Sequence, residues 1–296
     1  MTKDAEQTNG LIIKRYSGFY YVQTQDNQLF ECKLRGKVKE GRILVGDRVR
    51  FTPTSSETGI IDTVLARDVE LGRPAIANVN QVLVIMSYKD PSPNLHLLDR
   101  LLVLIGNQGL EAVVVLNKCD LAGNGEVESI IKYYAAIGYP IVSTSTKENM
   151  GIQELANLIK GNINVLAGPS GVGKTSLLNI LVPGMDMKTD QVSRKLARGK
   201  HTTRHAELFP LAVGGWLADT PGFGVVDLPP MKREELKFLF REFTQLAEEC
   251  RFANCIHAGE KECGVKEAVE KGIIPSSRYQ SYMIGLNEII AKERSY

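Results

Sequence analysis

The chain has 296 residues, 43% hydrophobic and 24% charged, with 36 lysines and arginines against 34 aspartates and glutamates. Such a composition fits a globular protein of two or three domains, and no uninterrupted apolar run reaches the ~18 residues that a membrane helix needs. With a net charge of only +2, affinity for nucleic acid has to come from local basic clusters and not from the average.

Residues Met1 to Gly10 are polar, without an apolar leader segment, so a cytoplasmic protein is expected. Short strand patterns with turn signals follow at Leu11 to Tyr16, Phe19 to Thr24, Gln28 to Leu34, Arg48 to Thr52 and Ile60 to Leu65. Five strands without a helical period predict a small β-barrel of the OB type over residues 1–72. Seven basic residues (Lys33, Arg35, Lys37, Lys39, Arg42, Arg48, Arg50) face two acidic ones (Glu40, Asp47) in this stretch. A solvated strand face and contact with an RNA backbone explain the cluster equally well.

After Arg73-Pro74 strands and helices alternate: strand Gln81 to Ser87, helix Leu95 to Ile105, strand Ala112 to Leu116, helix Val127 to Ile137, strand Pro140 to Ser143, helix Ile152 to Lys160 and strand Ile163 to Ala167. This is the pattern of a doubly wound parallel sheet, here assigned to residues 73–226, with phosphate expected at the carboxyl ends of the strands. Asn117-Lys118-Cys119-Asp120 ends one strand. A carboxylate there can accept both the N1–H and the exocyclic amino group of guanine, and adenine offers no such pair, which argues against an ATPase or kinase. Ser143-Thr144-Ser145 ends the next strand and is placed to close over the base through backbone N–H groups.

Gly168-Pro169-Ser170-Gly171-Val172-Gly173-Lys174-Thr175 then fits G-x-x-x-x-G-K-[ST] between a strand and the helical pattern Ser176 to Leu181. Its backbone N–H groups can converge on phosphate oxygens, Lys174 can reach the β and γ phosphates, and the Thr175 hydroxyl can hold Mg²⁺. Downstream stand Gly199-Lys200-His201-Thr202-Thr203-Arg204 and Asp219-Thr220-Pro221-Gly222. Asp219 suits the magnesium shell, the Gly222 N–H suits the γ-phosphate, and Thr202 or Thr203 can close over Mg²⁺ when that phosphate is present. Six basic residues between Lys188 and Arg204 (Lys188, Arg194, Lys195, Arg198, Lys200, Arg204), against Asp190, form a second basic cluster leading into the first of these segments, explained either by a solvated loop or by an rRNA contact controlled by the nucleotide.

Residues 227–296 open with an amphipathic helical pattern that places Leu236, Leu239, Phe240, Phe243 and Leu246 on one face. Three of the five cysteines then crowd together in Cys250-x4-Cys255-x-His257-x5-Cys263, a Cys₃His set for one closed, structural zinc ion with no position left for water. A final helix carries Tyr279, Tyr282, Met283, Leu286 and Ile290 along one face.

In Ras-like GTPases the base-reading motif follows DxxG, whereas here it precedes the phosphate loop, so the sheet reads as circularly permuted. The permutation, the barrel and the cysteine cluster closely resemble the family of bacterial small-ribosomal-subunit-dependent GTPase A (RsgA), as do Leu34-Arg35-Gly36-Lys37, Val45-Gly46-Asp47, Ala77-Asn78-Val79-Asn80-Gln81, Leu98-Asp99-Arg100 and Gly199 to Thr203. The resemblance covers nearly the whole chain. It implies GTP hydrolysis to GDP and phosphate, coupled to late maturation of the 30S subunit, with direct contact to 16S rRNA. A monomer is expected, and a guanine-specific pocket is expected to admit ppGpp. Asn80 and Arg204 depart from the family pattern, in which Asp and Thr are expected. Phe223 stands where Ras-like enzymes carry a water-orienting glutamine, so hydrolysis should be slow until a partner completes the site. His201 is a candidate for the missing group, with RNA contact an equal alternative. A nucleotide-gated RNA-binding translation regulator needs the same residues and is the competing reading.

Overall fold

The computed structural model describes residues 7–36, 42–72, 75–123, 125–185, 206–219 and 227–294. Apolar and polar side chains alternate along the N-terminal strands, which gives each strand one dry face. These strands are β1 (Thr8–Tyr16), β2 (Phe19–Gln23), β3 (Leu29–Leu34), β4 (Arg48–Pro53) and β5 (Thr58–Val64). Antiparallel pairs β1–β2, β2–β3, β4–β5 and β1–β4 and the parallel pair β3–β5 close the ring in the order β1-β2-β3-β5-β4. The expected five-stranded barrel is present, and closure leaves it without a free edge.

Ile12, Val22, Phe30, Cys32, Val49, Phe51 and Ile61 fill the barrel, with the Phe30 and Phe51 rings 5.0 Å apart. Residue 59 is glycine because a Cβ there would stand 2.8 Å from the Phe51 ring and 3.0 Å from Cys32 Sγ. Burial pushes the Cys32 thiol up to about 12, so it is an inert core group. Of the basic cluster, Lys33, Arg35, Arg42, Arg48 and Arg50 are exposed, while Lys37, Lys39 and Glu40 lie outside the described residues. Asp47 is fully buried and does not offset them: its carboxylate accepts from Leu44 N at 2.8 Å and from both Nε and Nη2 of Arg67 at 2.7 and 2.9 Å.

The barrel belongs to a compact unit of Met1–Val82, Ala156–Leu166 and Thr175–Phe223. A two-strand ladder, β6 (Glu70–Leu71) with β7 (Ile76–Ala77), lies beside Asn78, whose amide donates to Gly46 O at 2.8 Å and accepts from Asp68 N at 2.9 Å. Asn80 accepts from Ile163 N at 2.8 Å and donates to the Asn162 side chain at 3.0 Å, so this position uses both ends of an amide. An aspartate, the residue expected there, has no such donor. In the same unit β11 (Ile163–Ala167) runs parallel to β13 (Trp216–Asp219), which is antiparallel to β12 (Glu207–Pro210), and β12 pairs with β1 at Lys14 and Glu207.

The second unit comprises Leu83–Leu155, Ala167–Lys174 and Gly224–Tyr296. Its strands β8 (Gln81–Ser87), β9 (Glu111–Asn117) and β10 (Ile141–Ser143) stand in the order β10-β9-β8, with β9 and β10 parallel. Every residue of β8 is buried, as an apolar strand covered on both faces requires. Helix α1 (Leu95–Asn107) begins at Asn94, whose side chain accepts from Leu97 N at 3.0 Å. Helices α2 (Glu126–Ala136), α3 (Ile152–Ile159) and α4 (Lys174–Leu181) follow within two residues of their expected bounds.

The C-terminal segment departs from the expected single amphipathic helix. A 3₁₀ turn at Leu236–Leu239 ends at Phe240, whose backbone is extended, and α5 (Arg241–Leu246) starts anew. The break lets Phe240 and Phe243 both pack on Tyr282, with ring centroids 5.1 and 4.9 Å away. It also brings Lys237 into a buried position where its ammonium donates to Cys255 O at 2.9 Å. Helices α6 (Gly264–Glu270) and α7 (Ser276–Glu293) complete the unit, with Tyr282, Leu286 and Ile289 of α7 buried.

Arg278 of α7 is almost wholly buried among α1, α2 and α5. Its guanidinium meets Asp99 Oδ1 at 2.5 Å and Glu242 at 2.7 and 3.2 Å, and Tyr134 donates to the same Asp99 oxygen at 2.5 Å. Removing one member strands its partners without water, so Arg278→Leu should destabilise this unit by about 3–5 kcal/mol, whereas Arg48→Ala, which breaks an exposed pair, should cost about 1 kcal/mol or less. Denaturant unfolding of both variants checks the contrast.

Candidate functional site

The phosphate-loop sequence folds as its glycines dictate. Gly168 has φ +133°, and a Cβ there would lie 2.1 Å from Ile85 O. Gly173 has φ +95°, and a Cβ there would lie 2.2 Å from Asn117 Nδ2. Both positions combine a backbone angle and a proximity that only glycine tolerates. Val172 is buried, and α4 starts directly after the loop, with Lys174, Thr175 and Ser176 half-buried in its first turn. The Lys174 ammonium donates to Gly168 O at 2.9 Å and Pro169 O at 2.5 Å, and burial lowers its pKa. The N-terminus of α4 supplies further unpaired N–H groups beside these residues.

Asn117, wholly buried at the end of β9, joins this loop to the loop of Asn117 to Asp120 and to Thr144. Its Nδ2 donates to Val172 O at 2.8 Å, and its Oδ1 accepts from Thr144 Oγ1 at 3.1 Å. Lys118 then takes a left-handed conformation, φ 61°, and its ammonium donates to Asp90 O. Cys119 N donates to Thr144 O at 3.0 Å, and Ser145 Oγ donates to Asp120 Oδ1 at 2.6 Å. Ser143 Oγ lies 2.9 Å from the Tyr88 hydroxyl. The structure therefore gathers Asn117 to Asp120, Ser143 to Ser145 and Gly168 to Lys174 into one bonded group within the second unit.

Tyr88 and Asp90 belong to this group without having been singled out in the sequence, where no motif marks them. Gly151 also supports it, since a Cβ there would lie 2.0 Å from Ser143 O, and the neighbouring Asn149, with φ 55°, was the available turn signal. Asp219 ends β13 opposite Glu207. His201, Thr202, Thr203, Gly222 and Phe223 lie outside the described residues.

The second cluster is the expected Cys₃His set. One ligand atom each from Cys250, Cys255, His257 and Cys263 falls within 4.8 Å of every other. His257 Nδ1 is 3.6 Å from Cys250 Sγ and 3.4 Å from Cys263 Sγ, and those two sulfurs are 3.9 Å apart. Ligands about 2.0–2.3 Å from a tetrahedral ion lie about 3.3–3.8 Å from each other, so the donor set fits a metal ion. Burial lowers the His257 pKa to about 4, which keeps the imidazole neutral, as a ligand must be. Tyr279 and Tyr282 hold the loop by donating to His257 O at 2.7 Å and Ile256 O at 2.5 Å, and Glu260 accepts from Ile256 N and Ala258 N at 2.7 and 2.8 Å.

Comparison with known proteins places these observations in a family. Residues 63–229 match the model of the RsgA GTPase domain, and residues 9–61 match that of the RsgA N-terminal domain. Proteins named small ribosomal subunit biogenesis GTPase RsgA from Moorella thermoacetica and Carboxydothermus hydrogenoformans are 45% and 47% identical to the chain, each over 97% of it and 99% of the relative. The crystal structure of YjeQ from Thermotoga maritima superposes with a TM-score of 0.82 at 38% identity, covering 96% of this chain and 99% of that one. That of YloQ, described as a circularly permuted GTPase, gives 0.81 at 33% identity, covering 99% and 98%.

Two outcomes follow from the geometry. Asn117→Leu leaves Val172 O and the Thr144 hydroxyl unpaired and should destabilise the second unit by about 2–4 kcal/mol, measurable as a loss of hydrogen-exchange protection in residues 168–174 and 143–145. Cys255→Ser should remove most of the bound metal found by elemental analysis and lower the unfolding temperature, as should chelation of the unaltered protein.

Proposed function

Since the chain belongs to the RsgA GTPase family, we propose that it hydrolyses GTP to GDP and phosphate while bound to the 30S ribosomal subunit, and that it assists late steps of that subunit's maturation. The observation that carries this reading is the joining of phosphate loop to base-reading loop through Asn117, in a chain similar over nearly its whole length to proteins named small ribosomal subunit biogenesis GTPase.

In this reading the loop N–H groups from Gly168 to Gly173 and the start of α4 receive the phosphates. Lys174 exchanges the carbonyls of Gly168 and Pro169 for phosphate oxygens, and the negative charge there restores the pKa that burial lowers. Asp120, oriented by Ser145, accepts the two donors of guanine. Ser143 to Ser145 close over the base, and Asn117, Lys118 and Cys119 hold the loop in place. Thr175 and Asp219 are assigned to Mg²⁺, which when bound neutralises charge on the β and γ phosphates. Thr202 or Thr203 and the Gly222 N–H complete the γ-phosphate contacts, and His201 is our candidate for orienting water in place of the absent glutamine. The metal of Cys250, Cys255, His257 and Cys263 is Zn²⁺ in a structural role, because four protein ligands leave no open position. The barrel of residues 1–72, the GTPase domain of residues 73–226 and the module of residues 227–296 follow one another along the chain, and the barrel and the module contact 16S rRNA. The protein acts as a cytoplasmic monomer, and ppGpp competes for the guanine pocket.

Phosphate release from GTP and from ATP, with and without purified 30S subunits, tests the reading. GTP turnover should rise steeply with 30S, by up to ~10⁵ if the subunit completes the site, and ATP turnover should stay at background. Asp120→Ala should weaken GTP binding by about 100-fold while leaving the metal content unchanged. No response to 30S, or equal use of ATP, would refute it.

A further inference from the structure

Tyr88 follows directly on β8 and bonds to the ends of both β9 and β10. Its backbone N–H donates to Asn117 O at 2.9 Å, and its hydroxyl lies 2.9 Å from Ser143 Oγ. In the strand order β10-β9-β8 the second of these contacts passes across β9, a span of about 9–10 Å at ordinary strand spacing. Of the three hydroxyl-bearing side chains only tyrosine is long enough to bridge it. The segment that carries Tyr88 is itself braced: Ser87 Oγ donates to Pro91 O at 2.6 Å, and the Lys118 ammonium donates to Asp90 O.

Beyond Ser143 the chain is held at consecutive points. Thr144 N donates to Leu116 O at 2.9 Å, and Ser145 exchanges two backbone bonds with Met150, each 3.0 Å. Glu148 N donates to Ser145 Oγ at 3.1 Å, so the hydroxyl proton is left for Asp120 Oδ1, 2.6 Å away. Thr144 and Ser145 are wholly buried, with no water to take over a lost bond. A shift of Ser143 is therefore passed on, through two residues of fixed backbone, to the hydroxyl that orients the Asp120 carboxylate. Orientation matters because a carboxylate accepts two donors of a planar base at once only when its own plane lies close to that of the base, whereas a single hydrogen bond tolerates a wide range of rotation.

We propose that Tyr88 is a positioning residue for guanine selectivity: its hydroxyl fixes Ser143, and with it the angle at which Asp120 meets the N1–H and the exocyclic amino group together. The inference rests on the reading of Asn117 to Asp120 as the guanine-reading loop. In this role Tyr88 acts through Ser143 and Ser145 and not by contact with the base.

Competition of GDP and inosine diphosphate against a fluorescent GDP on the full chain tests the assignment, because inosine keeps the N1–H and lacks the exocyclic amino group. The unaltered protein should prefer GDP by about tenfold or more, the worth of one hydrogen bond to a charged group. Tyr88→Phe, which keeps the ring and loses the hydroxyl, should lower that preference by about threefold or more, mostly through weaker GDP binding. Ser143→Ala should do the same, and the double variant should lose no more than either single one, since all three remove the same bond. A preference for GDP that survives both single substitutions, an equal loss of affinity for the two nucleotides, or additive losses in the double variant would overturn the proposal while leaving the guanine site in place. No preference in the unaltered protein would overturn the guanine-reading loop as well. Ser143→Ala, the smaller change, decides the matter if Tyr88→Phe does not fold.

Discussion

A single side-chain amide ties together the loops of Asn117 to Asp120, Ser143 to Ser145 and Gly168 to Lys174. Asn117 must donate to the Val172 carbonyl and accept from the Thr144 hydroxyl at once, in a position that water does not reach. Only an amide of this length does both: aspartate lacks the donor and leucine lacks both ends. The consequence spreads outward. Residue 173 has to be glycine because the amide nitrogen already occupies the space of a Cβ, and Thr144, held by Asn117, fixes the register in which Cys119 and Ser145 meet their partners. Two loops far apart in sequence thereby share one geometry, and reversing their order along the chain does not disturb it, because the bond is between side chain and loop.

The C-terminal module is tied to α1 and α2 by charge as much as by packing. Arg278, Asp99, Glu242 and Tyr134 form a buried network, and Arg241 adds a second link by stacking on Tyr139 at 4.0 Å and donating to Gly138 O at 2.5 Å. Buried ion pairs add little net stability compared with apolar packing, but they tolerate few alternative arrangements. The Cys₃His cluster works differently, since its ligands sit on short turns that Phe243 of α5 and Tyr279 and Tyr282 of α7 support. Sequence reading assigned residues 227–296 a role of their own. In the structure these residues are in the same compact unit as the loops of Asn117 to Asp120 and Ser143 to Ser145, and they pack directly on α1 and bond to α2 through Tyr133 and Tyr134.

Much of the site was legible beforehand because its chemistry depends on residue types at fixed spacing. Gly168 to Thr175, Asn117 to Asp120 and the cysteine set are local patterns, each specific because a phosphate, a base or a metal ion demands a particular array of donors. Tyr88, Asp90 and Gly151 were not legible, since each acts through a neighbour distant in sequence and belongs to no motif. The helix expected across Leu236 to Leu246 failed for a related reason. Its apolar spacing suits a helix, yet burial of Phe240 and Phe243 against Tyr282, together with the Lys237 bond to Cys255 O, was worth more than an unbroken run of backbone bonds.

The sequence by itself determined the strand alternation of the barrel, the parallel α/β pattern, the inverted order of the nucleotide motifs and the composition of the metal cluster. All of these depend on periodicity or on short-range spacing, which a linear text preserves. Tertiary structure alone decided that Asp47 is a buried partner of Arg67 and not a surface charge, that Asn80 serves as a two-ended amide, and that Asp99, Glu242 and Arg278 share one dry pocket. The physical reason is that the cost of burying a charge or an amide depends on what surrounds it in space, and the surroundings come from segments separated by as many as 179 positions.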